Sequence, residues 1–336
     1  MPCRTEKVES VRTTRYLIVN KTKDMAKRVK SLHTARKAKN DEFYTQLSDI
    51  ERELAHYDFS GKRIYCNCDD PDRSNFYRYF RDNFDRIGLR SLVCTCYCQD
   101  GQGKYASFDG TVEDRGLLSG DGDFRSPECT ALLQDCDTVV TNPPFSLFRE
   151  YFSQLVEHEK QFLIVGSMNA VTYKEIFRYI QSDQAWLGYG FQNSDAYFSV
   201  TPEVALENNY AAGVYDPETG LVRFRNCVWF TNIDHEKRNT PMVLTARYSP
   251  DSYPRYENYD AIEVPRLKLI PGDYEEAMGL PITFLNCYCP EQFQIIWTTD
   301  RSGDGMLEEY KLPHDRYDAP VLDGKGLYKR ILVKKR

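Results

Sequence analysis

Long apolar runs are missing from this 336-residue chain. No stretch approaches the roughly 18 apolar residues that a membrane-spanning helix needs. The opening residues, MPCRTEKVES, also lack the apolar core of a secretory signal. The expected location is the cytoplasm, with no membrane partner. Internal repeats and sustained heptads are absent too, which excludes solenoids and coiled coils. There are eleven cysteines, but none are in paired C-x2-C spacing. They cluster as Cys66/Cys68, Cys94/Cys96/Cys98 and Cys287/Cys289, in or beside strand-like segments. C-x-C is too close for the usual zinc knuckle, so these read as buried, reduced thiols and no metal is expected.

An excess of positive charge is missing as well. The net charge of −6 argues weakly against a nucleic-acid partner, because neutralising phosphate needs Lys and Arg. The distribution tells more than the sum. Residues 21–39 hold Lys21, Lys23, Lys27, Arg28, Lys30, Arg36, Lys37 and Lys39 against Asp24 alone. The chain ends with Lys329, Arg330, Lys334, Lys335 and Arg336. Basic arms on an acidic body are compatible with DNA binding, and each alone also fits a solvated end.

What is present is a globular composition, 41% hydrophobic and 28% charged, enough for one large or two modest domains. The leader 1–39 reads as a basic arm, helical over 24–39. Ile50, Leu54 and Tyr57 recur at helical spacing. Strands are predicted at 63–66, 92–96, 137–141, 162–166, 186–189 and 228–232. Helices are predicted through Phe76–Phe84, closed by Gly88, and at 128–134, 147–156 and 173–180. Residues 100–127 look like loops with a hairpin. Strands alternating with helices over residues 40–234 predict an α/β fold, with a mostly parallel central sheet and helices on both faces. An insertion stands at about 191–226. Residues 235–336 are rich in Pro, Tyr and Asp, have little periodicity, and read as a second, irregular module.

Asn142-Pro143-Pro144-Phe145 follows the strand at 137–141 directly. In open α/β sheets ligands bind beyond the C-terminal ends of strands. Two consecutive prolines fix φ twice and remove two N–H donors, so the segment displays carbonyls on a stiff backbone. The Asn142 amide oxygen and the Pro143 carbonyl can then point into one cleft. Two such acceptors suit an exocyclic amine such as adenine N6, whose lone pair is delocalised into the ring. Holding both N–H bonds draws the nitrogen towards tetrahedral geometry and stabilises the developing positive charge. Phe145 offers a flat face for a base. The other reading is a plain turn after a strand with Phe145 in the core, but N-P-P-F after a hydrophobic strand in an α/β context is the stronger pattern.

Residues 137–151, DTVVTNPPFSLFREY, resemble the catalytic segment of the EcoRI-type adenine-specific DNA methyltransferases. So do KNDEFYTQ at 39–46, CNCDDP at 66–71, GDGDFRS at 120–126, NAVTYKEIF at 169–177, WFTN at 229–232, YENYDAIEVP at 256–265 and GLPITFL at 279–285. The likeness runs in order from about residue 39 to 296. It implies the Rossmann-like methyltransferase fold, S-adenosyl-L-methionine as donor, and adenine N6 in double-stranded DNA as target. Residues 40–234 would be the catalytic domain, and 235–336 a target-recognition module. Any cognate restriction endonuclease would be a genetic partner only.

By the same resemblance Asn142, Pro143, Pro144 and Phe145 are the catalytic motif. Phe43, Tyr44 and Thr45 line the methionine end of the donor. Asn67, Asp69, Asp70 and Pro71 stand where most methyltransferases carry a glycine-rich loop, a departure that the family shares. Asp123 and Phe124 would sit at the donor adenine. On the residues alone, Asp69-Asp70-Pro71 also fits a turn and helix N-cap, Asp123 a turn, and Tyr44-Thr45 a helix start. No ribose-binding acid is evident after the second strand, where Asp100 is the nearest, and that role stays open.

Inside a duplex N6 is stacked and paired, so the target must be flipped out at a cost of a few kcal/mol. Arg223, Arg225, Arg255, Arg266 and Lys268 are candidates for DNA contact, each more apt for phosphate than for a base edge. An RNA adenine or protein-glutamine methyltransferase would use the same motif. The Phe145 variant and the C-terminal stretches favour DNA.

Overall fold

The structure is a computed structural model that describes residues 43–99, 101–192, 195–208, 210, 213–299 and 308–336. The basic arm at 1–39 and Asp100 lie outside the described residues. The chain enters at a two-residue strand, β1 (Tyr44–Thr45), and helix α1 (Leu47–Leu54) follows, with Ile50 and Leu54 buried. Then come β2 (Arg63–Asn67), α2 (Asn75–Asp82) and α3 (Phe84–Ile87). The cap of α2 is Ser74, whose hydroxyl accepts from the Tyr77 N–H at 3.0 Å, and not the acids of Asp69-Asp70. Gly88 ends α3 with φ 75°, a left-handed stop that suits glycine.

Strands β3 (Ser91–Cys96), β4 (Lys104–Phe108) and β5 (Glu113–Leu117) follow, then α4 (Pro127–Asp135), β6 (Thr138–Thr141), α5 (Phe148–Glu157), β7 (Gln161–Ser167) and α6 (Lys174–Gln181). Ser126 caps α4 and Pro127 opens it, the order that orphan N–H groups favour. Next are β8 (Trp186–Leu187), β9 (Asp195–Ser199), α7 (Pro202–Asn208), β10 (Tyr215–Asp216), β11 (Leu221–Arg225) and β12 (Cys227–Thr231).

The main sheet has eight strands in the order β5-β4-β3-β2-β6-β7-β12-β8. Its centre, β3-β2-β6-β7, is parallel. The flanks are antiparallel. The sheet is therefore mixed, not mostly parallel as the alternation of elements predicted. The reason is local: the Gly/Asp-rich stretch read as loops folds a hairpin onto β3, and a short turn joins only antiparallel strands.

Helices do cover both faces. Ile64, Cys66, Val140, Leu163 and Val165 share a core with Phe76 and Phe80 of α2 and Ile50 and Leu54 of α1. The alternate residues Tyr65, Val139, Phe162 and Ile164 meet Leu133 of α4, Phe148 and Phe152 of α5 and Ile176 of α6. Strands buried on both faces read as continuous apolar runs, as 138–140 and 162–165 do.

The insertion forms its own antiparallel sheet with the N-terminal strand, in the order β1-β9-β11-β10. Residues 235–336 are less irregular than their composition predicted. They contain β13 (Ile262–Glu263), β14 (Met278–Pro281), β15 (Phe293–Thr298), a small ribbon of β16 (Val321–Leu322) and β17 (Lys325–Gly326), and β18 (Arg330–Lys335). A four-stranded sheet runs β13-β14-β18-β15. Its core is continuous with that under α5 and α6, where Phe177 meets Trp297 edge-on at 5.6 Å.

Candidate active site

The parallel centre of the main sheet sets the location. From β2 the chain moves outward to β3, then returns across β2 to β6. Loops leaving β2 and β6 therefore diverge, and a crevice opens at the C-terminal strand ends. A cavity of about 510 Å³ lies there. Cys68 to Asp70 wall it after β2, Cys96 to Gln99 after β3, and Asn142 and Pro144 after β6. Phe43 and Tyr44 close one side and Gly122 to Arg125 another.

Asn142 is buried. Its side-chain nitrogen donates to the Phe43 carbonyl, which fixes the orientation of the amide. Its Oδ1 then has no hydrogen-bond partner among the described residues. An unsatisfied buried acceptor costs about 1–3 kcal/mol.

Asp69 ties this motif to the loop after β2. Its buried carboxylate accepts from the Thr141 hydroxyl at 3.2 Å and from the backbone N–H of Asn142. Burial pushes its pKa up to about 7, against those bonds and one from Ser74, which pull it down. A folded pKa above the ordinary 3.8 means that its contribution to stability is full below 3.8 and is lost as pH rises towards 7. Asp69→Asn keeps the shape and removes the titration. Melting temperatures of both proteins from about pH 4 to pH 8 should diverge over that window, the wild type falling relative to the variant. Parallel curves would mean that Asp69 does not titrate there.

Asp70 accepts from Lys104 at 3.1 Å and so ties the loop after β2 to the hairpin. Asp123 is clamped by Arg125 at 2.6 Å, which holds its pKa below the ordinary value although burial opposes this. Phe124 lines the cavity, but its ring packs edge-on against Tyr151 at 5.1 Å. Gly122 has φ 79°, and a Cβ there would overlap the Cys96 carbonyl oxygen at the end of β3. Gly122→Ala should therefore push the 122–125 wall off the strand end. The expected result is a loss of about 2 kcal/mol of stability together with weaker ligand binding in the cavity, read by thermal melts and calorimetry. Wild-type affinity would show that this wall is dispensable.

Of the residues singled out in the sequence, the cavity gathers Phe43, Tyr44, Asp69, Asp70, Asp123, Phe124, Asn142 and Pro144. Thr45, Asn67, Pro71 and Pro143 are buried but are not among its lining residues. Asn67 turns inward, accepting from the Cys68 N–H at 2.8 Å and the Thr95 hydroxyl at 3.1 Å. Phe145 is half-buried and faces the other way. Its ring stacks on Phe43 at 6.1 Å and lines a neighbouring open groove of about 890 Å³. That groove shares Phe124, Arg125 and Leu147 with the cavity. Sequence reading missed Cys96 to Gln99 and Gln102, which line the cavity from the strand end and the hairpin. Their signal was the position after the second parallel strand, hidden by a stretch read as loop. The ten cysteines among the described residues are free thiols, three of them (Cys68, Cys96 and Cys98) in the cavity wall.

A family model described as "Adenine-specific methyltransferase EcoRI" matches residues 31–117 and 106–336. The chain belongs to this family. It is 41% identical over 329 residues to the Type II methyltransferase M.EcoRI of Escherichia coli, covering 91% of this chain and 97% of that protein. It is 36% identical to the Type II methyltransferase M.MpnI of Mycoplasma pneumoniae, over 90% of this chain and 97% of the relative. M.MgeORF184P of Mycoplasma genitalium is 35% identical, with 90% and 98% covered. No solved structure matches the chain. The conjunction of this family with an unpaired Asn142 oxygen in a strand-end cavity makes the cavity the candidate site of methyl transfer. Among the described residues no helix is long and apolar enough to cross a membrane.

Proposed function

We propose that the 510 Å³ cavity binds S-adenosyl-L-methionine and that Asn142 to Phe145 present an adenine N6, flipped out of double-stranded DNA, to it. Family membership makes the protein a site-specific, adenine-specific DNA methyltransferase. The observation that carries the site assignment is the Asn142 Oδ1, buried at the cavity without a partner. The donor, when bound, supplies an electrophilic methyl group.

The chain's own residues do the rest. On this reading Asn142 Oδ1 accepts one N6–H bond and the Pro143 carbonyl, from just behind the residues that line the cavity, the other, which localises the nitrogen lone pair. Because these dipoles are fixed before the reaction, they stabilise charge without reorganising. Asp69 holds Asn142 by its backbone N–H. Phe145, backed by Phe43, gives the extruded base a stacking face on the groove side. Phe43, Tyr44, Asp69, Asp70, Asp123 and Phe124 hold the donor. Aromatic faces and carboxylates fit a ligand with a purine ring, ribose hydroxyls and cationic centres. Thr45, Asn67 and Pro71 support that wall from behind.

On this reading residues 40–234 form a Rossmann-like catalytic domain, the 191–226 insertion abuts its motif, and 235–336 is a target-recognition module. Ultraviolet cross-linking of labelled S-adenosylmethionine should mark peptides that contain residues 43–44 or 122–125. A mark confined to residues outside the cavity would overturn the donor site.

A further inference from the structure

The sheet formed by β1, β9, β11 and β10 has two unlike faces. Ala196, Phe198 and Val222 are buried, and with Phe224 they point inward. Phe224 meets Phe43 at 4.7 Å and Phe145 at 6.0 Å, so this inner face braces the catalytic motif. Residues directly opposite one another in a sheet share a face, and so do residues two apart. Tyr44 lies opposite Ser199, Ser199 opposite Leu221, and Tyr197 opposite Arg223. The outer face is thus one continuous surface. It starts at Tyr44 in the cavity wall and runs out through Ser199 and Leu221 to Tyr197 and Arg223.

Tyr197 is 41% exposed on this face. With Arg223, Val214, Tyr215, Asp216 and Leu221 it lines a shallow groove of about 270 Å³. Arg223 and Arg225 have no ion-pair partner among the described residues. The nearby Asp216 is committed to its own turn, accepting from the Glu218 N–H at 3.0 Å and the Thr219 hydroxyl at 2.9 Å. Of the cations named for the C-terminal residues, Arg255 is already paired with Asp260.

We propose that this outer face seats the DNA backbone beside the flipped nucleotide, with Arg223 on a phosphate and Tyr197 against the adjoining sugar. The inference rests on the DNA-methylation reading above. The strand that carries the target has to run past the cavity mouth. This face is continuous with that mouth and offers a cation to a polyanion.

The test is fluorescence anisotropy of the full chain with a labelled duplex of about 30 base pairs, at several salt concentrations. Arg223→Ala should weaken binding about five- to tenfold, equally for unrelated duplexes, and lower the slope of log affinity against log salt by about 1. Arg223→Lys, which keeps the charge, should keep the slope. S-adenosylmethionine affinity should be that of wild type in both variants, as a check on folding. Wild-type affinity and slope in Arg223→Ala would overturn the proposal and leave the methyltransferase reading standing. Failure of the wild type itself to bind any duplex would overturn both.

Discussion

Replacing Asn142 with alanine should cut the methyl-transfer rate by about 10²–10³ while changing donor affinity by less than about fivefold. The expectation follows from the two ends of one amide. The nitrogen end is spent on the Phe43 carbonyl, a contact within the protein. The oxygen end has no partner among the described residues, and on the proposed reading it gains one when the substrate arrives. Losing an interaction made as charge develops lowers kcat rather than ground-state binding. Single-turnover kinetics separates the two. Equal losses in donor binding and rate would make Asn142 a structural residue of the cavity wall.

The largest effect on stability is expected far from the cavity. Glu263 and Arg330 join β13 to β18 across β14, with Nη2 to Oε1 at 2.7 Å and Nε to Oε2 at 3.0 Å. The Tyr256 hydroxyl also donates to Glu263. The side chains are only 6% and 13% exposed, so solvent screens the pair little. Glu263→Ala would leave a guanidinium desolvated and unpaired, and should cost about 3–5 kcal/mol. Replacing both partners by methionine should cost less than the single change, because no orphan charge remains. Chemical denaturation of the three proteins checks this. A single variant as stable as the double would mean that Arg330 reaches water once freed. The C-terminal sheet shares its core with α5 and α6, so the single variant should lose donor binding at the same denaturant concentrations as it unfolds.

These contrasts also explain what could be read in the sequence. The 138–141 and 161–167 strands were legible because both faces are buried and the apolar runs are unbroken. The Asn-Pro-Pro segment was legible as a strand-end feature because two prolines stiffen the chain there whatever surrounds it. The β4–β5 hairpin was not seen to belong to the main sheet. Its outer strand, Glu-Asp-Arg-Gly-Leu, is largely exposed and lacks apolar alternation. The C-terminal sheet was hidden for a different reason. β13 has two residues and β14 four, too few for a period to show, and β14 finds its second partner about fifty residues on, in β18. At the site, type and position were legible but direction was not. Asn67 and Asp69 are two residues apart, yet only Asp69 lines the cavity. Cys68 between them takes φ 64°, which turns the chain there. Likewise Asn142 lines the cavity and Phe145 the groove beside it.

The most direct measurement incubates the full chain with labelled S-adenosylmethionine and unmethylated genomic DNA, with total RNA in parallel, and maps the product by single-molecule sequencing. N6-methyladenine at one short DNA sequence, absent with Asn142→Ala, is the expected result. Label only in RNA, label on another base, or undiminished methylation by Asn142→Ala would contradict the account.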